Sequence, residues 1–115
     1  RAGRAERDMN KRRQMLENMI AQGSQDPFVR YARALELRSE GALEQALGAL
    51  DEVRALHPEY VPTFLMAGQI ATQLGQAAKA RALYEQGVQV ASAARDEHAR
   101  SELQAALDGL APESP

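Results

Sequence analysis

At 115 residues the chain is long enough for one small domain. With 44% apolar but only 4% aromatic side chains, its core must come from Ala, Leu, Val and Met, which suits close-packed helices better than sheets. The lack of cysteine excludes disulfides and thiolate metal sites, and a net charge of −2 gives no general attraction to nucleic acid or anionic membrane.

Six helices are predicted. The first covers residues 8–21, with Met15, Leu16, Met19 and Ile20 as one apolar stripe at helical spacing. Gly23 stops it, and Asp26-Pro27 restarts the chain as an N-cap followed by proline at the first helical position. The second covers 27–39, with apolar positions at Phe28, Tyr31, Ala34, Leu35 and Leu37, and breaks at Gly41. The third covers 43–56 with Ala46, Leu47, Leu50, Val53 and Leu56 buried, and His57-Pro58 ends it. The fourth covers 61–74, carried by Phe64, Leu65, Ala67, Gly68 and Ala71, and breaks at Gly75. The fifth covers 76–93 through Ala80, Leu83, Tyr84, Gly87, Val88 and Val90. The sixth covers 96–110, capped by Asp96, with a thin stripe of Leu103, Ala106, Leu107 and Leu110. Residues 111–115 read as a disordered tail.

Charge is unevenly placed along these elements. Residues 1–13 carry a net +4 and residues 14–115 a net −6, a basic head on an acidic body. Residues 1–7 are expected to be a basic N-terminal arm or linker. No aromatic residue interleaves the basic ones, so a base-stacking surface is not expected. No apolar run reaches bilayer length, and no secretory signal pattern occurs. A cytoplasmic location is expected, with a periplasmic one left open because the chain begins at Arg1 and Met9 is a candidate start.

The strongest pattern is a period of 34 residues. Ala34 recurs as Gly68, Gly41 as Gly75, Leu43 as Ala77 and Ala46 as Ala80; Leu50 recurs as Tyr84, Val53 as Gly87 and Leu56 as Val90. Small residues mostly meet small ones and apolar residues apolar ones. Helical repeats of this length bury their apolar faces by stacking on neighbours.

The run Phe64-x-x-Ala67-Gly68-x-x-Ala71, followed by Gly75, Ala80, Tyr84 and Gly87, resembles a tetratricopeptide repeat. Ala34, Leu37, Gly41, Ala46, Leu50, Val53 and Pro58 form a weaker first copy. The resemblance implies an all-α fold. Its antiparallel helix pairs would stack as a short right-handed α-solenoid, as in small two-repeat bacterial proteins. Residues 8–110 are then one helical domain, with repeats at about 27–60 and 61–94. The first helix would belong to a degenerate preceding repeat, and 96–110 would be a capping helix. Gly68, Ala80 and Gly87 fall where paired helices cross closely. Two arginines depart from the pattern: Arg30 and Arg33 stand where the family has bulky apolar residues. Both are expected to face the first helix, one of them pairing with Glu17 while its stem covers Leu16 or Met19.

Chemistry beyond binding finds little support. His57 sits at a helix end and His98 on an exposed helix side; Glu97, His98 and Glu102 do not make a metal set. Asp51 and Glu52 are adjacent and do not face each other. No Gly-rich phosphate loop is present. The chain is therefore expected to be non-catalytic, with no cofactor, metal or small-molecule substrate.

In the family, the first helix of each pair lines a concave groove. Carried onto this chain, those positions are Phe28, Tyr31, Leu35 and Arg38, with Leu65, Gln69 and Thr72. The resemblance implies an adaptor or scaffold that binds a partner helix or peptide there. Asn10 and Asn18 lie outside these helices and Arg38 is the only basic groove residue, so a clamp for a C-terminal carboxylate is not expected. The alternatives are self-association as a homodimer, with the Met-rich first helix as seam, and the regulatory or targeting end of a larger protein. A rival reading of the groove has Phe28, Tyr31 and Leu35 covered by the chain's own first helix.

Overall fold

In the computed structural model, residues 4–110 and Pro112 are described, with side chains from Lys11 onward. The expected arm and tail, 1–7 and 111–115, thus lie outside the described residues except for the backbone of 4–7 and for Pro112. Helix termini organise the rest. Where a helix ends, its last carbonyls need new donors. At Gly41 the chain turns into the left-handed region (φ 81°), so that Gly41 N–H donates to Arg38 O at 2.9 Å and Ala42 N–H to Leu37 O at 3.0 Å. This pair of bonds is a Schellman cap. Gly75 repeats it 34 residues later, its N–H donating to Thr72 O and that of Gln76 to Ala71 O. Gly23 closes the first helix in the same way. The fifth helix has the same cap with no glycine: Arg95 takes φ 58°, its N–H reaching Ser92 O and that of Asp96 reaching Ala91 O.

Six α-helices result among the described residues: α1 (Arg4–Ala21), α2 (Pro27–Ser39), α3 (Leu43–Leu56), α4 (Pro62–Gln73), α5 (Ala77–Ala93) and α6 (Glu97–Asp108). No strand occurs among the described residues. Asp26 accepts from Phe28 N–H at 2.9 Å and Asp96 from Ala99 N–H at 3.1 Å, the two side-chain caps expected from sequence. α1 begins at Arg4, four residues ahead of expectation.

The helices fall into two compact units, Arg1–Val53 and Arg54–Pro115. In the first, α1 packs on α2. The buried residues are Val29, Ala34, Leu37, Ala46, Leu47, Ala49, Leu50 and Val53. Arg30 departs from its expected place: it pairs with Glu52 of α3, not with α1. Arg33 does meet Glu17, at 3.1 Å. The apolar stripe of α1 is only half realised. Leu16 and Ile20 are half-buried, while Met15 and Met19 remain 57% and 40% exposed.

In the second unit α5 packs against both α4 and α6, and α4 also touches α6. Phe64, Ile70, Ala71, Leu83, Tyr84 and Leu103 are buried here. Two glycines let the helices approach. A Cβ at Gly68 would fall into the ring of Tyr84, and one at Gly87 would lie 2.6 Å from Phe64 Cβ and 2.9 Å from Leu103 Cδ2. α5 therefore crosses its neighbours at a distance only a hydrogen side chain permits.

Candidate protein-binding faces

At about 100° of rotation per residue, Phe28, Tyr31, Leu35 and Arg38 share one face of α2. Phe28 is 55% exposed, and Tyr31, Leu35 and Arg38 are half-buried. The neighbouring Val29, absent from the expected apolar positions, is the buried one. On α4, Leu65, Gln69 and Thr72 likewise share one face, apart from the buried Thr63, Phe64, Ala67, Ile70 and Ala71. Leu65 and Gln69 are half-buried and Thr72 is exposed. The Thr72 hydroxyl is already committed, donating to Gly68 O at 2.8 Å. Each set thus forms a face on its own helix.

Ion pairs tie α1 to α2. Arg12 pairs with Glu36 at 2.8 Å. Arg13 bridges Glu40 at 2.7 Å and Glu17 at 3.4 Å, and Glu17 also holds Arg33. The chain Arg33–Glu17–Arg13–Glu40 crosses from α2 to α1, passes along α1 and returns to the end of α2. Its hydrogen bond from Arg33 holds the Glu17 carboxyl below the ordinary glutamate range, with the charge of Arg13 adding to it against the opposing effect of burial. Its hydrogen bond to Glu40 pushes the Arg13 guanidinium further up. These contacts attach α1 to the face of Arg33, Glu36 and Glu40. That face is roughly 150° around α2 from Phe28, Tyr31, Leu35 and Arg38.

Two hollows lie in the second unit and were not foreseen from sequence. One, of about 370 Å³, is lined by Pro58, Glu59, Val90, Ala93 and Ala94. The other, of about 380 Å³, lies among Glu85, Gln86, Val88, Gln89, Gln104 and Leu107. His98 is exposed beside Glu102 at 3.3 Å. Among the described residues no group of His, Asp and Glu is arranged to hold a metal ion, and no helix is long and apolar enough to cross a membrane.

No family model matches the sequence, and no curated protein matches it. Solved structures do. A solution structure of a tetratricopeptide repeat domain protein from Salinibacter ruber is 32% identical, covers 78% of this chain and 94% of its own, and superposes with a TM-score of 0.74. The chain belongs to the tetratricopeptide repeat family. A crystal structure of a Salinibacter ruber tetratricopeptide repeat domain protein agrees, at 34% identity over 71% of this chain and 92% of its own, with a TM-score of 0.68. A solution structure of a Bordetella parapertussis protein is 26% identical over 84% of both chains, with a TM-score of 0.72. The repeat of 34 residues is thus that of a tetratricopeptide repeat, a helical module for protein interaction.

Proposed function

We propose that this tetratricopeptide repeat chain is a non-catalytic adaptor that binds a partner helix or extended peptide through the faces of Phe28, Tyr31, Leu35 and Arg38 and of Leu65, Gln69 and Thr72. It would work as a cytoplasmic scaffold, in a bacterium as its Ala-, Arg- and Gln-rich and Lys-poor composition suggests. The observation that carries the reading is the apolar face of α2. Phe28 is more than half exposed, and the ion pairs of α1 run along another side of the helix. An aromatic anchor of this kind commonly carries about 2 kcal/mol or more of interface energy.

The test is the double variant Tyr31→Ala, Leu65→Ala, compared with the parent for partner capture from native extract and for thermal unfolding. Weakened capture with nearly unchanged helix content is the expected result. Unchanged capture with a lowered melting temperature would reject the reading. It would mean that these residues serve the fold alone.

A further inference from the structure

We infer that α1 and α2 together present a second element of the binding surface, an apolar strip of Met15, Met19, Phe28 and Leu35 that receives an amphipathic partner helix bearing carboxylates at one end of its apolar stripe. The inference rests on the reading of the chain as a protein-binding module, and it extends the site onto α1.

The ion pairs fix how the two helices are rotated against each other. Glu17 is level with Arg33 and Arg13 with Glu40, so α1 and α2 run antiparallel. Arg12–Glu36 lies on one side of this hairpin and Glu17–Arg33 on the other. At about 100° per residue, Met15 and Met19 fall on the Arg12 side of α1, while Phe28, Ala32 and Leu35 fall on the Glu36 side of α2. Both sets therefore lie on the same side of the hairpin, one on each flank of the Arg12–Glu36 pair. The large exposed apolar side chains among the described residues are Met15, Met19, Phe28 and Leu56, and three of these four belong to this strip. A concentration of that kind marks an interaction surface rather than scattered exposure. With a rise of about 1.5 Å per residue the strip is on the order of 10 Å long, about two turns of a partner helix. Methionine suits such a surface because its unbranched side chain adapts to the shape it meets.

Charge selects the occupant. Residues 11–40 hold six basic and four acidic side chains, whereas residues 41–115 hold five basic and ten acidic. Within that basic part Arg13, Arg30 and Arg33 are already paired with Glu40, Glu52 and Glu17, so the positive charge offered to the strip is that of its Lys11 and Arg12 end. At the α1 end of the strip Lys11 is exposed, and the Arg12 side chain keeps 54% of its exposure while bonded to Glu36. A guanidinium has five N–H donors, so Arg12 can take a second carboxylate. A helix with an acidic end matches this surface, and a basic one is repelled by it.

The test uses two synthetic amphipathic helices with the same leucine stripe, one ending in glutamates and one in lysines. Binding is followed by fluorescence anisotropy and by the methionine methyl resonances of the full chain, with Met66 of α4 as internal reference. The expected result is at least tenfold tighter binding of the acidic peptide at low salt, with shifts at Met15 and Met19 and none at Met66. Met15→Gln, Met19→Gln should lose at least tenfold in affinity without a change in melting temperature. Equal binding of the two peptides, no binding of either, or shifts at Met66 alone would overturn the inference. Shifts at Met15 and Met19 that grow with protein concentration alone would also overturn it, assigning the strip to a second copy of the chain. Suppose Tyr31→Ala, Leu65→Ala still weakens capture of the native partner while Met15 and Met19 stay unmoved by the acidic peptide. Then the strip falls and the module reading stands.

Discussion

Glycine and its absence have opposite consequences at different positions of this chain. Gly87 is packed from two sides, and an added Cβ meets Phe64 Cβ, an atom fixed to its own backbone. Gly87→Ala gains about 1 kcal/mol of helix propensity but incurs an overpacking cost of about 1–3 kcal/mol. The clash to a backbone-fixed atom decides, and urea unfolding should show a net loss of about 1 kcal/mol, up to about 2. Gly48 lies in α3 with nothing within 4 Å of its would-be Cβ. Gly48→Ala should therefore raise stability by about 0.5–1 kcal/mol in the same assay. A stabilising Gly87→Ala would contradict the close crossing of α4 and α5. Arg95 is the reverse case, a side chain where the other three caps use glycine. Left-handed backbone costs a non-glycine residue about 1–2 kcal/mol, and glycine forfeits about 0.5–1 kcal/mol of chain entropy. Arg95→Gly should stabilise the chain by about 0.5–1 kcal/mol in thermal unfolding. A lowered melting temperature would show that the Arg95 side chain supplies something beyond the turn.

At the scale of helices, what sequence revealed depended on whether a signal was local. The 34-residue spacing, the stops at Gly41 and Gly75 and the caps at Asp26 and Asp96 are written in single residues, and the helices follow them closely. The stop at Arg95 carries no such mark, because arginine has no preference for the left-handed turn. Rotation of a helix against its neighbours is not local either. The apolar residues expected on α2 spread around much of its circumference, so spacing could not tell that Val29 is buried and Phe28 exposed. The family pattern, with bulky apolar residues at both places, has both Arg30 and Arg33 facing α1, though only Arg33 meets it. One face of α2 meets α1 and another meets α3, and the two arginines are three positions apart on a helix of 3.6 residues per turn. The candidate faces were legible as positions on α2 and α4. Met15 and Met19 were legible as a surface only in the alternative that makes the Met-rich first helix a seam; in the apolar stripe they otherwise read as core, and their exposure follows from the side on which α2 holds α1 by its arginines.

At the scale of the whole molecule, stability should be unevenly shared between differently built parts. No side chain of residues 11–21 is buried. α1 is held by half-buried Leu16 and Ile20 and by the ion pairs of Arg12, Arg13 and Glu17. Exposed pairs of this kind contribute little singly and are screened by salt. The second unit is instead held by buried apolar residues around Phe64, Ile70 and Leu103. Segments with few buried contacts open locally before the molecule unfolds, so α1 amides should exchange hydrogen about tenfold or more faster than those of α4 and α5. The pH dependence has a definite sign. The folded pKa of Glu17 lies below its unfolded value, so its contribution is complete above about pH 4.3. It is lost as pH falls through the folded value. Protection of the α1 amides, taken relative to their intrinsic exchange rates, should therefore fall on acidification through that range, and in about 1 M salt at neutral pH, while that of the α4 and α5 amides changes less. Glu17→Gln should speed α1 exchange at neutral pH and flatten its acid dependence. Exchange that is uniform along the chain, or a Glu17→Gln variant with the acid response of the parent, would show that α1 is held by packing and not by its ion pairs.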